Sequence, residues 1–197
     1  MRPIIPLAIL ALASLSLYAG PAFAGGIGIV TTAGLHGDRV YSYEEDVNGV
    51  ATQMDPEDQL NSNFGGGLEI VLGDKDLKIM GIFRGYYLQD APQQEPKNGP
   101  IFNVRDVPRD LGVINAGLQW GILGDPGALQ LTVVGTLGAG VFTNDFTGYA
   151  LAEAGVGGTW MAARRIQVAA SVTGGARYRK RFYPTTNVYL GARVLFD

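Results

Sequence analysis

One histidine, no cysteine and a thin scatter of charges set the chemical range of this 197-residue chain. His36 follows Thr31 and Thr32 and precedes Ser42, Glu44 and Glu45. A histidine with a hydroxyl and a carboxylate is the set that acyl transfer needs. No motif around His36 supports that chemistry, and filling an interior or a rim is the plainer role for HGD at 36–38. No His/carboxylate spacing for zinc occurs, and the lack of Cys removes thiol catalysis and Cys-based metal sites. The glycines of GTLGAG, 135–140, open no helix and form no phosphate loop. The sequence therefore offers no catalytic residue, metal site or cofactor site. Residues 44–60, EEDVNGVATQMDPEDQL, hold six acids and no Lys or Arg. That run is either a solvated acidic loop or a cradle for a divalent cation. RYRKRFYP, 177–184, gathers Arg177, Arg179, Lys180 and Arg181, a set suited to lipopolysaccharide phosphates.

The remaining charges lie inside apolar runs. In LEIVLGDKDLKIMGIFRGYY, 68–87, Glu69 and Arg84 stand among Leu, Ile, Val and Phe. The period there is two. Leu68, Ile70 and Leu72 share one side, and Glu69 and Val71 share the other. Such alternation predicts a strand with one apolar face. It recurs over 26–36, 63–73, 77–87, 111–122, 129–141, 149–160, 166–177 and 187–196, which makes eight strands with no helical period between them. Glycine numbers 29, a share that helices avoid because each costs about 1 kcal/mol in a helix interior. Eight is the smallest common strand count for a closed antiparallel barrel.

The joins alternate in length. GDKD at 73–76, GDPG at 124–127 and AARR at 162–165 read as tight turns. The joins 44–60 and 89–109 are long, the latter irregular because of its prolines. Those near 143–147 and 178–186 are shorter outer loops. Long and short connections on opposite rims match a membrane barrel. Charge placement gives the same answer. Glu69, Lys78, Arg84, Glu153, Arg177 and Arg193 all fall on the mixed face, with Gly, Thr, Ser, Gln and Asn. The apolar face carries no ionisable residue except Tyr87. The mixed face is then the lumen, and Glu69, Arg84, Glu153 and Arg193 are expected to form an ion-pair network there. Depth counted from the short turns puts Glu69 level with Arg193, and Arg84 level with Glu153 higher up. Trp120 and Trp160 lie on the apolar face just before short turns, where an interfacial aromatic girdle belongs.

Residues 1–24 carry Arg2, an apolar run and PAFA at the end, the pattern of a cleaved signal peptide. The barrel is then 25–197. Net charge is −3, which gives no basic field for nucleic acid. The pattern as a whole resembles the small eight-stranded outer-membrane barrels typified by the OmpA transmembrane domain and OmpX. GIGIVTTAGLHGDRVYSYEED, 26–46, faintly resembles outer-membrane proteins of myxobacterial gliding motility. The resemblance implies an all-β, eight-stranded, up-and-down transmembrane barrel in the outer membrane of a Gram-negative bacterium. It further implies contact with outer-membrane lipid and lipopolysaccharide, and envelope protein partners met through the loops or rim. A non-enzymatic structural or interaction role is the expectation, as a subunit of an envelope-spanning machine for gliding motility or secretion. A narrow pore, a lipid-modifying enzyme and a soluble lipocalin-like barrel stand as alternatives.

Overall fold

The computed structural model describes residues 23–45, 50–53, 57–74, 76–90, 101–105, 110–142 and 148–196. Nearly all of the expected signal peptide lies outside them, as do the loop at 143–147 and parts of 44–60 and 89–109. The strands are β1 (Phe23–Glu45), β2 (Ala51–Gln53), β3 (Glu57–Asp74), β4 (Ile79–Asp90) and β5 (Ile101–Arg105). They continue with β6 (Asp110–Gly124), β7 (Leu129–Phe142), β8 (Gly148–Ala163), β9 (Ile166–Arg179) and β10 (Arg181–Phe196). Eight of them, β1, β3, β4, β6, β7, β8, β9 and β10, pair in that order, and β10 returns to β1. Every pairing is antiparallel, and the closing ladder runs from Gly25↔Phe196 to His36↔Thr185.

One row of paired residues can be followed around the wall. It leaves β10 at Arg193 and passes Gly28, Glu69, Arg84, Asn115, Gly138, Leu151 and Arg177. It comes back to β10 at Tyr183, ten residues from its start. A stagger of ten over eight strands, with a rise of about 3.3 Å and a spacing of about 4.8 Å, tilts the strands by about 40°.

The pattern of two decides what lies inside. Glu69, Arg84, Asn115, Glu153 and Arg193 are buried, while Leu68, Phe83, Ile114, Leu118 and Leu190 are exposed on the outer wall. Between the rims, outward positions among the described residues carry no ionisable side chain but tyrosine. The barrel is thus inside out relative to a soluble one. A lipocalin-like arrangement would need these two sets exchanged.

The turns follow their chemistry. At 124–129, Gly124 takes φ 97°, and the Asp125 carboxylate accepts from Gly127 N at 2.8 Å. Ala128 N donates to Asp125 O at 3.0 Å. Bulges follow Gly121 and Met161, just below the two tryptophans.

Three joins differ from the expected loops. The join at 178–186 is no loop: Arg179 pairs with Arg181 across Lys180 alone, and the strands run on through RYRKRFYP. Lys180 bears the cost with φ 62°. The run 44–60 is largely strand, because β1 continues to Glu45 and pairs with β2 from Tyr43↔Gln53. In 89–109, β5 forms and pairs with β1 from Val40↔Arg105 to Glu44↔Ile101. Pro184 explains the vacancy that β5 takes. Proline offers no N–H to a ladder, and the β10 ladder to β1 stops at Thr185.

Gly28 sits between Arg193 and Glu69 in the inward row, where a Cβ would meet Arg193 Cβ at 2.6 Å. A Cβ at outward Gly85 would meet nothing within 4 Å. Gly28→Leu is therefore expected to abolish most of the folded form, read as the mobility difference between heated and unheated samples on gels. Gly85→Leu should leave that difference intact. Equal behaviour of the two would contradict the register.

Candidate functional site

The lumen is filled by side chains in three tiers. At the short-turn end, Val71, Met80, Ile82, Val134 and Leu195 form an apolar floor. Polar and small residues were expected throughout, so this floor is a departure. It was visible as apolar residues on the otherwise mixed face.

The ion cluster stands above the floor. β1 places Gly28, with no side chain, between Arg193 on β10 and Glu69 on β3. Arg193 reaches across that gap, and its Nη1 donates to Glu69 Oε1 at 3.1 Å. Arg84, paired with Glu69 in register, donates from Nε to Oε2 at 2.7 Å. Glu69 is 1% exposed. Two further acceptors hold Arg193: Gln167 Oε1 at 2.7 Å from Nε and Gln119 Oε1 at 3.5 Å from Nη2.

Glu153 belongs to the next tier and is not bridged by Arg84. Its Oε1 accepts from Asn187 Nδ2 at 2.5 Å, and its Oε2 accepts from the Tyr189 hydroxyl at 2.8 Å. The depth count set Arg84 level with Glu153, whereas Arg84 pairs with Glu69 and Glu153 is held by Asn187 and Tyr189. Counts from the turn along single strands miss this, because the hairpin sets Gly73 opposite Met80 and so Glu69 opposite Arg84. Tyr189 still joins the two tiers, since the Arg84 guanidinium lies 4.5 Å from the centre of its ring. A hydroxyl has one proton. With the Tyr189 proton on Glu153, Tyr86 must donate to Tyr189 across their 2.9 Å contact. Asn115 Nδ2 in turn points at the Tyr86 oxygen at 3.4 Å. Glu69, Arg84, Arg193 and Glu153 thus sum to zero charge around one tyrosine. Tyr189, Tyr86, Asn115, Asn187 and Gln167 were not singled out beforehand. Their inward positions in the alternation are the signal that could have found them.

Near the outer rim, His36 is buried, and its Nδ1 lies 2.7 Å from Asn63 Nδ2. Thr31 faces outward and donates to Leu190 O at 3.3 Å. Thr32 shares the inward face with His36, but four strand residues separate them by about 13 Å. Neither hydroxyl lies within proton-transfer reach of the imidazole. The side chains of Ser42, 44–49 and 51–59 lie outside those described, and no group of three or more His, Asp or Glu that could hold a metal occurs among the described residues.

The four basic residues of the last hairpin separate. Arg177 is a correction: it is buried, points into the lumen, donates from Nη2 to Gly37 O at 2.9 Å and lies over the Tyr149 ring. Its place in the alternation sends it inward. Arg179 is half-buried, and Lys180 and Arg181 are exposed at the tip. Lys78, also counted on the mixed face, is exposed in the turn before β4.

On the outer wall, Trp120 and Trp160 are 59% and 55% exposed. Exposed Phe196 lies near the same rim, and Tyr87, Tyr178 and Phe182 near the other. Trp160 pairs with Val168, ten residues before Tyr178. At about 3.3 Å per residue and a tilt of about 40°, the two aromatic levels are about 25 Å apart, the height of a hydrocarbon band.

Glu69→Gln removes the carboxylate that two buried guanidinium groups share. The expected loss is about 3–5 kcal/mol in urea unfolding from lipid or detergent. Tyr189→Phe keeps the ring under Arg84 and removes only the hydroxyl, with an expected loss of about 1–3 kcal/mol. A neutral Glu69→Gln would show that the cluster does not stabilise the barrel.

No protein-family model matches this chain, and no curated protein matches it. Among solved structures it is similar to Ail, the attachment invasion locus protein of Yersinia pestis. Identity there is 15% and the TM-score 0.41, over 87% of this chain and 99% of that one. A second Ail structure, in complex with the heparin analogue sucrose octasulfate, aligns at 18% identity and a TM-score of 0.38, over 87% and 99%. Neisserial surface protein A aligns at 11% identity and a TM-score of 0.44, over 82% of this chain and 96% of that one. At these values no residue role passes from one chain to another.

Proposed function

We propose that this chain is an integral outer-membrane barrel of a Gram-negative bacterium with a structural or interaction role and no enzymatic one. The observation that carries the reading is the inversion of the wall. Charged groups are enclosed, and large apolar side chains such as Ile114, Leu118, Leu137 and Phe182 are exposed all around the outside. Soluble monomers rarely expose apolar patches beyond a few hundred Å², whereas a lipid-facing wall requires such a surface. Trp120 and Trp160 then form part of the girdle on the short-turn side, which faces the periplasm.

A filled lumen supports a barrel that does not conduct: floor, ion cluster and tyrosine tier leave little room in an eight-stranded barrel. The interaction role falls to the opposite rim. There β1 runs on past the barrel and carries β2 and β5. A rim of this kind suits a subunit of an envelope-spanning machine, such as one for gliding motility or secretion. Arg179, Lys180 and Arg181 at the same rim suit contact with lipopolysaccharide phosphates. An export signal ending at Ala24 delivers the chain to this site.

Fractionation of cells expressing the full chain tests the proposal. The protein is expected in the outer-membrane fraction, needing detergent for release, with a mature N-terminus at Gly25 by mass spectrometry. In planar bilayers it should give no steady conductance. Crosslinking before solubilisation should recover an envelope protein that is lost when 46–56 is replaced by a short turn. A protein that stays soluble without detergent would overturn the whole reading. Steady single-channel steps would overturn the filled lumen.

A further inference from the structure

β1 changes partner along one edge. Up to His36 that edge pairs with β10, and from Val40 onward it pairs with β5. Gly37 falls between the two ladders, beside Pro184 of β10. A Cβ on Gly37 would lie 2.8 Å from Pro184 Cδ, so the two strands are still in contact there.

The parity of the ladder shows that this contact lacks a hydrogen bond. Backbone groups of a strand turn to one neighbour and then to the other at alternate residues, and facing residues exchange both bonds at every second pair. Leu195 N donates to Arg165 O at 2.8 Å, on the β9 side. β10 then pairs with β9 without a register shift from Val194 to Arg181. Odd residues of β10 therefore turn their backbone groups to β9, and even residues turn theirs to β1. Leu190 obeys this, since its carbonyl accepts from the Thr31 hydroxyl of β1 at 3.3 Å. At position 184 the ladder calls for an N–H aimed at Gly37 O, and proline has none. Gly37 is buried, where a carbonyl without a donor is costly.

The donor comes from one strand further round. Arg177 of β9 stands in register with Tyr183. It is buried in the lumen, and its side chain spans β10 to bring Nη2 within 2.9 Å of Gly37 O. The Tyr149 ring centre lies 5.6 Å from the guanidinium carbon. We propose that Arg177 is a positioning residue: it replaces the ladder bond that Pro184 withholds and so joins the β10 edge of β1 to its β5 edge. The rim formed by β1, β2 and β5 is seated on the barrel through this guanidinium. The purpose given to that seating rests on the reading of the rim as the interacting one, whereas the substitution of one donor for another stands on the geometry.

The test is a double-mutant cycle on the full chain in detergent, read by amide hydrogen exchange resolved to single residues. Arg177→Met removes the guanidinium and keeps an apolar stem. Pro184→Ala restores an N–H at 184. In Arg177→Met the amides of Gly37 and Thr186, on the seam at the gap, should exchange about tenfold faster, the worth of one hydrogen bond to a charged group. The amide of Ile29, lower on the same edge of β1, should not change. With Pro184→Ala already in place, Arg177→Met should speed Gly37 and Thr186 by about threefold or less, because the ladder bond has returned. An equal rise in both backgrounds would overturn the substitution. So would an equal rise at Ile29, which would make Arg177 a general support of the barrel. If Arg177→Met alone does not fold, folding of the double variant supports the substitution and its failure to fold overturns it. Envelope crosslinking plays no part in these readings, so a failed search for a partner leaves them standing.

Discussion

One carboxylate shared by two guanidinium groups sets the terms for this barrel. Glu69 meets Arg84 at 2.7 Å and Arg193 at 3.1 Å, with all three side chains almost fully buried. Ions removed from water are costly unless they are paired and hydrogen-bonded. The wall must therefore bring β10, β1, β3 and β4 into one register, and it must turn the apolar face away. A slip of one residue in any of these strands would send a charge to the outer face. The cluster is thus as much a device for register as a source of stability.

The same requirement explains where small residues occur. Inside, Gly28 leaves the gap through which Arg193 reaches Glu69. Above that, Tyr189 uses both of its chemistries. Its ring faces Arg84, and its hydroxyl donates to Glu153. Glu153 is held by that hydroxyl and by Asn187 instead of by a salt bridge of its own. The polar and charged contacts that hold the barrel together thus lie in the lumen, and the outer wall between the rims is left apolar.

Much of this was legible in the chain. The alternation in 68–72 and 77–87, the Asp-Pro-Gly turn and the placement of Trp120 and Trp160 depend on neighbours in sequence or on a period of two. The reading went astray where two strands had to be aligned. RYRKRFYP reads as a loop because four cations and a proline are poor strand material, yet pairing across Lys180 keeps it extended. The long acidic and proline-bearing joins hide β2 and β5, which exist only because β1 continues past the end of its partner β10.

By itself the sequence determined the number of membrane-length strands, the face each turns inward and the rim on which the short turns lie. These are properties of single strands, set by side-chain period and turn chemistry. Only the tertiary structure decided which charges meet. The β3–β4 hairpin register sets Arg84 opposite Glu69, closure of β10 onto β1 brings Arg193 to the same carboxylate, and Tyr189 of β10 links Glu153 to the cluster. The contact of Arg193 with Glu69 depends on closure, and closure is a property of all eight strands at once, which no single strand encodes.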